Sequence, residues 1–295
     1  MKLSIVIGTF NQRERLERVM NSFKFQSAHP SEFELIIVDS ASTDSTPDLL
    51  KSFKAPFQYK YHIQPNKGKA AARNKGIQLA EAPTIMITDA DMIADRDLVK
   101  AHIQAHESAL EPTSFEGVTL NMQNYNWPPD KDSLSPYIRK DYPDGAKLGW
   151  YYFLTGNISF PKALLLKTGL FDEKFTGYGW EDLELGYRFS KQGIPHRYLK
   201  SAVNYHYHVL NPIEEIVRNV AKGKSAKYFV QKHPELKTFL GLNPISVFLY
   251  KKVIKKDGKL IKKLNCWLKA PKNSKRQRLA IYLLSEYHYL QGILN

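Results

Sequence analysis

Short apolar runs alternating with longer mixed segments dominate the first hundred residues. Leu3-Ser4-Ile5-Val6-Ile7 reads as a strand, and 33–38 and 57–62 read as two more. The spacing of apolar positions predicts helices over 13–25, 44–53 and 69–79, with Ser42, Thr43 and Asp44 offering caps to the second. Thr84-Ile85-Met86-Ile87-Thr88 is nearly continuous and β-branched, as in a strand covered on both faces. Strand–helix alternation of this kind predicts an α/β fold with a mostly parallel, doubly wound sheet. Over 111–149 the pattern loosens into Asn, Pro and aromatic residues, as in Asn124-Tyr125-Asn126-Trp127-Pro128-Pro129. Such a stretch suits a lid or acceptor loop, or plain surface decoration. Periodicity resumes near Phe160, and a helix is expected over 181–191. No internal repeat is visible.

Composition changes this picture in one place. The apolar fraction of 43% supports a packed core, and the single cysteine, Cys266, excludes an intramolecular disulfide or a cysteine-cluster metal site. No secretory signal and no stretch of about 20 apolar residues is present, so the expectation is a soluble or surface-bound cytoplasmic protein. The net charge of +14 is concentrated: 211–295 holds 18 Lys/Arg against 5 Asp/Glu, whereas 1–210 holds 25 against 24. The chain therefore divides near Asn211-Pro212 into a body, 1–210, and a basic helical extension, 211–295. The runs from Tyr250 to Lys256 and from Leu260 to Leu264, with Trp267, have the character of basic helices lying on an anionic membrane. They suit a soluble helical cap equally well.

Three clusters can carry chemistry. Asp89-Ala90-Asp91 follows the central strand, where open α/β sheets place ligands, and two such carboxylates can face a hard cation such as Mn2+ or Mg2+. Asp39 follows the second strand in the same way, and a turn or cap role fits it equally. The segment from Asn66 to Gly76 leads a glycine-containing loop into a helix, presenting N–H groups and charge to an anion. Within it, Arg73 can pair with a phosphate or fix an aspartate, and Gly76 suits a helix cap. In the segment from Gly169 to Phe189, a helix beginning at Glu181 pairs Glu184 with Arg188 on its surface. Asp182 falls instead on the inward stripe, where burial and the helix amino terminus push its pKa in opposite directions. That suits a general base, or a plain cap. Trp180 can stack on a sugar or fill core. Finally, Tyr205-His206-Tyr207-His208 points both imidazoles to one side of a strand, where either can complete a metal shell.

In their order, Gly8-Thr9-Phe10-Asn11, Val38 to Asp44, Asn66 to Gly76 and Asp89-Ala90-Asp91 resemble family 2 glycosyltransferases of the GT-A fold. Phe171 to Phe189 resembles the carboxyl-terminal motif of galactosyltransferases and chondroitin-polymerase-type enzymes. The resemblance covers about 3–210. It implies an inverting, metal-dependent transferase moving a hexose or N-acetylhexosamine from a UDP-sugar to a glycan or lipid-linked acceptor, in cell-surface polysaccharide synthesis. It implies a donor side of Thr9, Asp39, Asn66, Arg73 and Asp89, and metal ligation by Asp91 with Asp89 and one of His206 and His208, the latter favoured. It further implies acceptor contacts from Glu181 and Trp180, with Asp182 as base. Ala41 stands where many relatives have glycine. The basic tail would then hold the protein peripherally on the inner membrane face.

Two other readings compete. A nucleotidyltransferase could share the fold and the carboxylates but would release pyrophosphate and not need the segment 177–182. A nucleic-acid-binding protein would explain the charge, but the charge avoids the α/β body and no base-reading motif is present, so no nucleic-acid partner is expected.

Overall fold

The computed structural model describes residues 1–295 except 123, 124, 126–128, 131, 132, 139, 208–211, 251–257, 272 and 273. Its chain forms two compact units: 1–174 with 181–209, and 175–180 with 210–295.

Among the described residues the first unit carries nine strands. They are β1 (Leu3–Thr9), β2 (Phe33–Asp39), β3 (Gln58–Ile63), β4 (Thr84–Asp89), β5 (Met92–Ala94), β6 (Ser114–Met122), β7 (Leu134–Pro136), β8 (Asn157–Pro161) and β9 (His196–His206). The sheet order is β3-β2-β1-β4-β8-β6-β9-β5, with β7 on β6. β3, β2, β1 and β4 run parallel. β8 enters antiparallel, β6 and β9 resume the first direction, and β5 and β7 oppose them. Six of the nine strands thus share one direction, which makes the sheet mostly parallel, with its antiparallel pairings beyond β4.

The flanking helices are α1 (Arg13–Ser22), α2 (Thr46–Ser52), α3 (Lys69–Leu79), α4 (Leu98–Ser108), α5 (Lys162–Thr168) and α6 (Glu181–Lys191). Alternation along β1 distributes its side chains to two cores. Leu3, Ile5 and Ile7 pack with Leu16, Val19 and Met20 of α1. Val6 packs on the other face with Ala70, Ala72 and Ile77 of α3 and with Leu185 and Phe189 of α6. The alanines let α3 sit close to the sheet. A Cβ on Gly76 would lie 2.3 Å from Val6 Cγ1, so Gly76 is an interior packing residue of α3 and not its cap.

Three sequence expectations need correction. The helix over 13–25 stops at Ser22 and tightens into a single turn over Phe23–Phe25. The helix over 44–53 begins at Thr46, and Asp44 Oδ1 accepts from Thr46 N at its entry. The loosened stretch 111–149 contains β6, a nine-residue strand inside the sheet. Its pattern is hidden because β6 carries a buried Glu116 and Gly117. The amide of Asn157 explains the glycine: its Nδ2 donates to Val118 O and Ala202 O, where the β6–β9 register shifts. A Cβ on Gly117 would meet that nitrogen at 2.4 Å.

The second unit is helical: α7 (Pro212–Lys232), α8 (Pro244–Leu249), α9 (Gly258–Leu268) and α10 (Lys275–Leu294). Leu264 of α9 is buried with Ile216, Ala280 and Leu284, and Leu260, Ile261, Trp267 and Leu268 pack on them. The apolar positions of the run from Leu260 to Leu264, with Trp267, are therefore spent on the unit's own core, leaving Lys259 and Lys262 exposed. The run from Tyr250 to Lys256 lies outside the described residues beyond Tyr250. No helix among the described residues is long and apolar enough to cross a membrane.

Gly223 and Gly292 let α7 and α10 approach backbone to backbone. A Cβ on Gly292 would lie 2.2 Å from Val220 O, and one on Gly223 would lie 2.1 Å from Tyr289 O. Backbone cannot yield as a side chain does, so Gly292→Ala is expected to destabilise this unit by roughly 2–3 kcal/mol in urea denaturation. A loss below about 0.5 kcal/mol, the range of an ordinary surface change, would contradict the close contact.

Candidate active site

Parallel register assembles the first part of the site. Thr9 lies opposite Asp39, and Gly8 lies opposite Asp89, so three expected residues leave the sheet along one carboxyl edge. Asp39 is fully buried and accepts from Ser42 N at 3.1 Å and from Ser42 Oγ. Ser42 Oγ also accepts from Asn11 N, and Asn11 Oδ1 accepts from Thr43 N, which ties the loop after β1 to the loop after β2. Asn11 and Ala41 hold left-handed φ values of 51° and 55°. Ala41 therefore occupies a conformation that suits glycine, at a cost of roughly 1 kcal/mol. Thr9 Oγ1 is buried with no hydrogen-bond partner among the described residues.

The second part comes from α3 and the loop before it. Asn66 is exposed, and its Oδ1 accepts from Gly68 N. Arg73, expected on the nucleotide side, is 2% exposed and engages two carboxylates: Nη1 donates to Glu181 Oε1 at 2.8 Å and Nη2 to Asp89 Oδ1 at 3.0 Å. Of the two roles the sequence left open, fixing an acid is the one seen. Next to it, Asn74 donates to Phe171 O and Glu173 Oε1 and accepts from Phe171 N. Asn74 thus pins the 171–173 segment, a role the sequence did not reveal.

Glu181 opens α6, buried, with Oε2 lacking a partner among the described residues. Asp182 follows it, half-buried. Burial chiefly, and the Glu181 charge next, push the Asp182 pKa up to about 6, against the pull of Arg73. For Asp89 burial works in the same direction, but Lys69 and Arg73 outweigh it and hold the carboxyl below its ordinary value. Two nearby acids are thus driven apart in acidity by their surroundings, the pattern expected of groups with different tasks. Glu116 is a third acid, missed because it sits on β6. It accepts from Leu154 N, and burial pushes its pKa well above the usual carboxylate range.

One other residue of this segment, Glu184, differs from expectation. Glu184 pairs with Arg188, both nitrogen–oxygen contacts from Nε being 3.0 Å, but Glu184 is fully buried and Arg188 half-buried. Arg188 also donates to the carbonyls of Thr168, Gly169 and Leu170, contacts helical periodicity cannot foresee. Trp180 belongs to the second unit. Its indole N–H donates to Lys222 O and its ring packs near Phe229 and Tyr289, so its edge is committed to structure.

Asp91 Oδ2 lies 3.7 Å from His206 Nε2, both half-buried. Two coordination bonds of about 2.1 Å can span that separation; the carboxylate suits Mn2+ or Mg2+ with substrate phosphate, and the imidazole nitrogen favours the transition metal of the two. The pair fits half of a cation site. Asp89 is two residues away but holds Arg73. Among the described residues no group of three or more potential ligands converges, and His208 lies outside them.

The parallel strand edge thus gathers Thr9, Asp39 and Asp89, and Arg73 links Asp89 to Glu181. The model of the glycosyl transferase family 2 matches residues 4–164, and the chain belongs to that family. It is 30% identical over 266 residues to validoxylamine A glucosyltransferase of Streptomyces hygroscopicus subsp. limoneus, covering 79% of this chain and 57% of that one. It is 26% identical to chondroitin synthase of Pasteurella multocida, over 79% of this chain and 27% of that enzyme. The chain therefore spans little more than half of the first relative and about a quarter of the second. Its fold matches the mannosyltransferase PcManGT of Pyrobaculum calidifontis, solved with GDP-Man and Mn2+, at TM-score 0.64 and 15% identity, covering 99% of this chain and 87% of that one.

Proposed function

We propose that the protein is an inverting, divalent-metal-dependent glycosyltransferase. It moves a hexose or N-acetylhexosamine from a UDP-sugar to a hydroxyl of a glycan or lipid-linked acceptor, in cell-surface polysaccharide synthesis. The observation that carries this reading is the Arg73 bridge, which joins Asp89 on the strand edge to Glu181 beside Asp182.

Thr9 and Asp39 receive the nucleotide, with the unsatisfied Thr9 hydroxyl available to it. Asp91 and His206 hold the cation, with Asp89 behind them. The cation, Mn2+ or Mg2+, supplies charge neutralisation to the departing diphosphate. Asp182 takes the proton of the acceptor hydroxyl, and the unpartnered Glu181 oxygen accepts from a neighbouring hydroxyl of the same sugar. A single base with no enzyme nucleophile gives one displacement and inverts the anomeric carbon. The excess positive charge of the second unit supports contact with an anionic membrane. With the α9 stripe internal, that contact would rest on charge and weaken with salt.

Incubation with a panel of UDP-sugars tests the reading. The expected result is release of free UDP that EDTA abolishes and added Mn2+ restores. Release of pyrophosphate, or turnover indifferent to chelator, overturns it.

A further inference from the structure

We infer that Asn121 is a positioning residue, fixing the His206 imidazole in the tautomer and orientation that direct Nε2 at the cation site beside Asp91. The inference rests on the cation reading above. On β6, Asn121 stands in register with His206 of β9 on one side and Ser135 of β7 on the other. Its Nδ2 donates to Ser135 O at 3.4 Å, which identifies the opposite amide atom as the acceptor. That acceptor, Oδ1, lies 3.0 Å from His206 Nδ1. An amide oxygen has no proton to give, so Nδ1 must carry the hydrogen. The lone pair of the neutral ring then resides on Nε2, which is the nitrogen 3.7 Å from Asp91 Oδ2.

The backbone fixes the other partner. Tyr207 N donates to Asp91 O, and Met92 pairs with His206 across β5 and β9. Asp91 and His206 are thus held to each other by the ladder, and Asn121 supplies the remaining degree of freedom, ring rotation. A partner on the far nitrogen of a ligating histidine sets its tautomer and basicity, and losing it typically weakens metal binding by 10- to 100-fold.

The experiment titrates Mn2+ into full-length protein without donor, read by electron paramagnetic resonance, alongside imidazole 15N spectra of the metal-free protein. Asn121→Leu is expected to raise the Mn2+ Kd by about 10- to 100-fold and to shift the His206 signal away from the Nδ1–H form. Asn121→Asp, which keeps an acceptor, should restore both, and Asn121→Leu should add no further loss to His206→Ala. Wild-type protein that takes up no Mn2+ overturns the cation reading. Wild-type binding that Asn121→Leu leaves within about twofold, or an unchanged His206 tautomer in a folded Asn121→Leu protein, overturns this inference alone.

Discussion

Asp182→Asn is expected to lower kcat about 1000-fold, within the range that a positioned base contributes, while leaving donor affinity close to that of the wild type. The substitution keeps size and hydrogen-bonding capacity and removes only the ability to take a proton. For wild-type protein, kcat should rise with pH through about 6, because the base works only when ionised and burial has pushed its pKa up to about 6. Stability should move the other way. A carboxyl whose folded pKa exceeds its unfolded value of about 3.9 binds its proton more tightly when folded. The stabilisation due to the neutral form is therefore present at low pH and lost as pH rises through about 6. Asparagine mimics the neutral form, so the variant should melt higher than wild type at pH 7.5, the gap closing below about pH 4. Stopped turnover with unchanged donor binding and a higher melting temperature would identify Asp182 as a group kept ionised for chemistry at a cost in stability. Turnover within tenfold of wild type would remove it from that role.

Much of the first unit could be read directly from residue order. β1, β2 and β4 consist of apolar runs short enough to be strands, and their parallel register alone brings Thr9, Asp39 and Asp89 to one edge. The opening helix of the acidic segment begins at Glu181, as the pattern suggested. What stayed hidden was decided by contacts between distant residues. β6 breaks the strand pattern with Glu116 and Gly117, and both make sense only once Leu154 and Asn157 lie beside them. Glu184 looked like a surface residue because a helical projection cannot know that the carbonyls after Thr168 will cover its arginine.

The site shows the same division. Types of residue were legible; their pairings were not. The sequence left open whether Arg73 pairs with a phosphate or an aspartate, and gave no sign that Glu181, 108 residues away, would be a second partner. Nor did it offer a firm choice between His206 and His208, because alternation along a strand treats them alike, and His208 lies outside the described residues. The neighbour of His206, Asn121, lies on a strand the sequence concealed.

Arg73→Met should be the most damaging substitution for the fold near the site. Methionine fills much of the volume but leaves Asp89 and Glu181 as neighbouring acids with their cation removed. Deleting one partner of a buried ionic group typically costs about 3–5 kcal/mol. The loss should depend on pH. The pKa of Asp89 is held down by Lys69 and Arg73 in the wild type, so its contribution to stability is present above its unfolded pKa and disappears as acid protonates it. In the variant, with the guanidinium gone, burial and mutual repulsion raise the pKa of both acids. The gap between variant and wild type should therefore be widest near pH 7 and shrink toward pH 4 as the two unpaired acids become neutral. Arg73→Lys should fall between the two, since an ammonium carries all its N–H groups on one nitrogen and lacks the two separate nitrogens that reach Asp89 and Glu181. Urea denaturation of the three proteins at pH 7 and pH 4.5 measures this directly. A deficit for Arg73→Met that is below about 1 kcal/mol, or identical at both pH values, would mean the two acids are held together by something other than this guanidinium. The strand edge and the base-bearing helix would then no longer be one electrostatic unit.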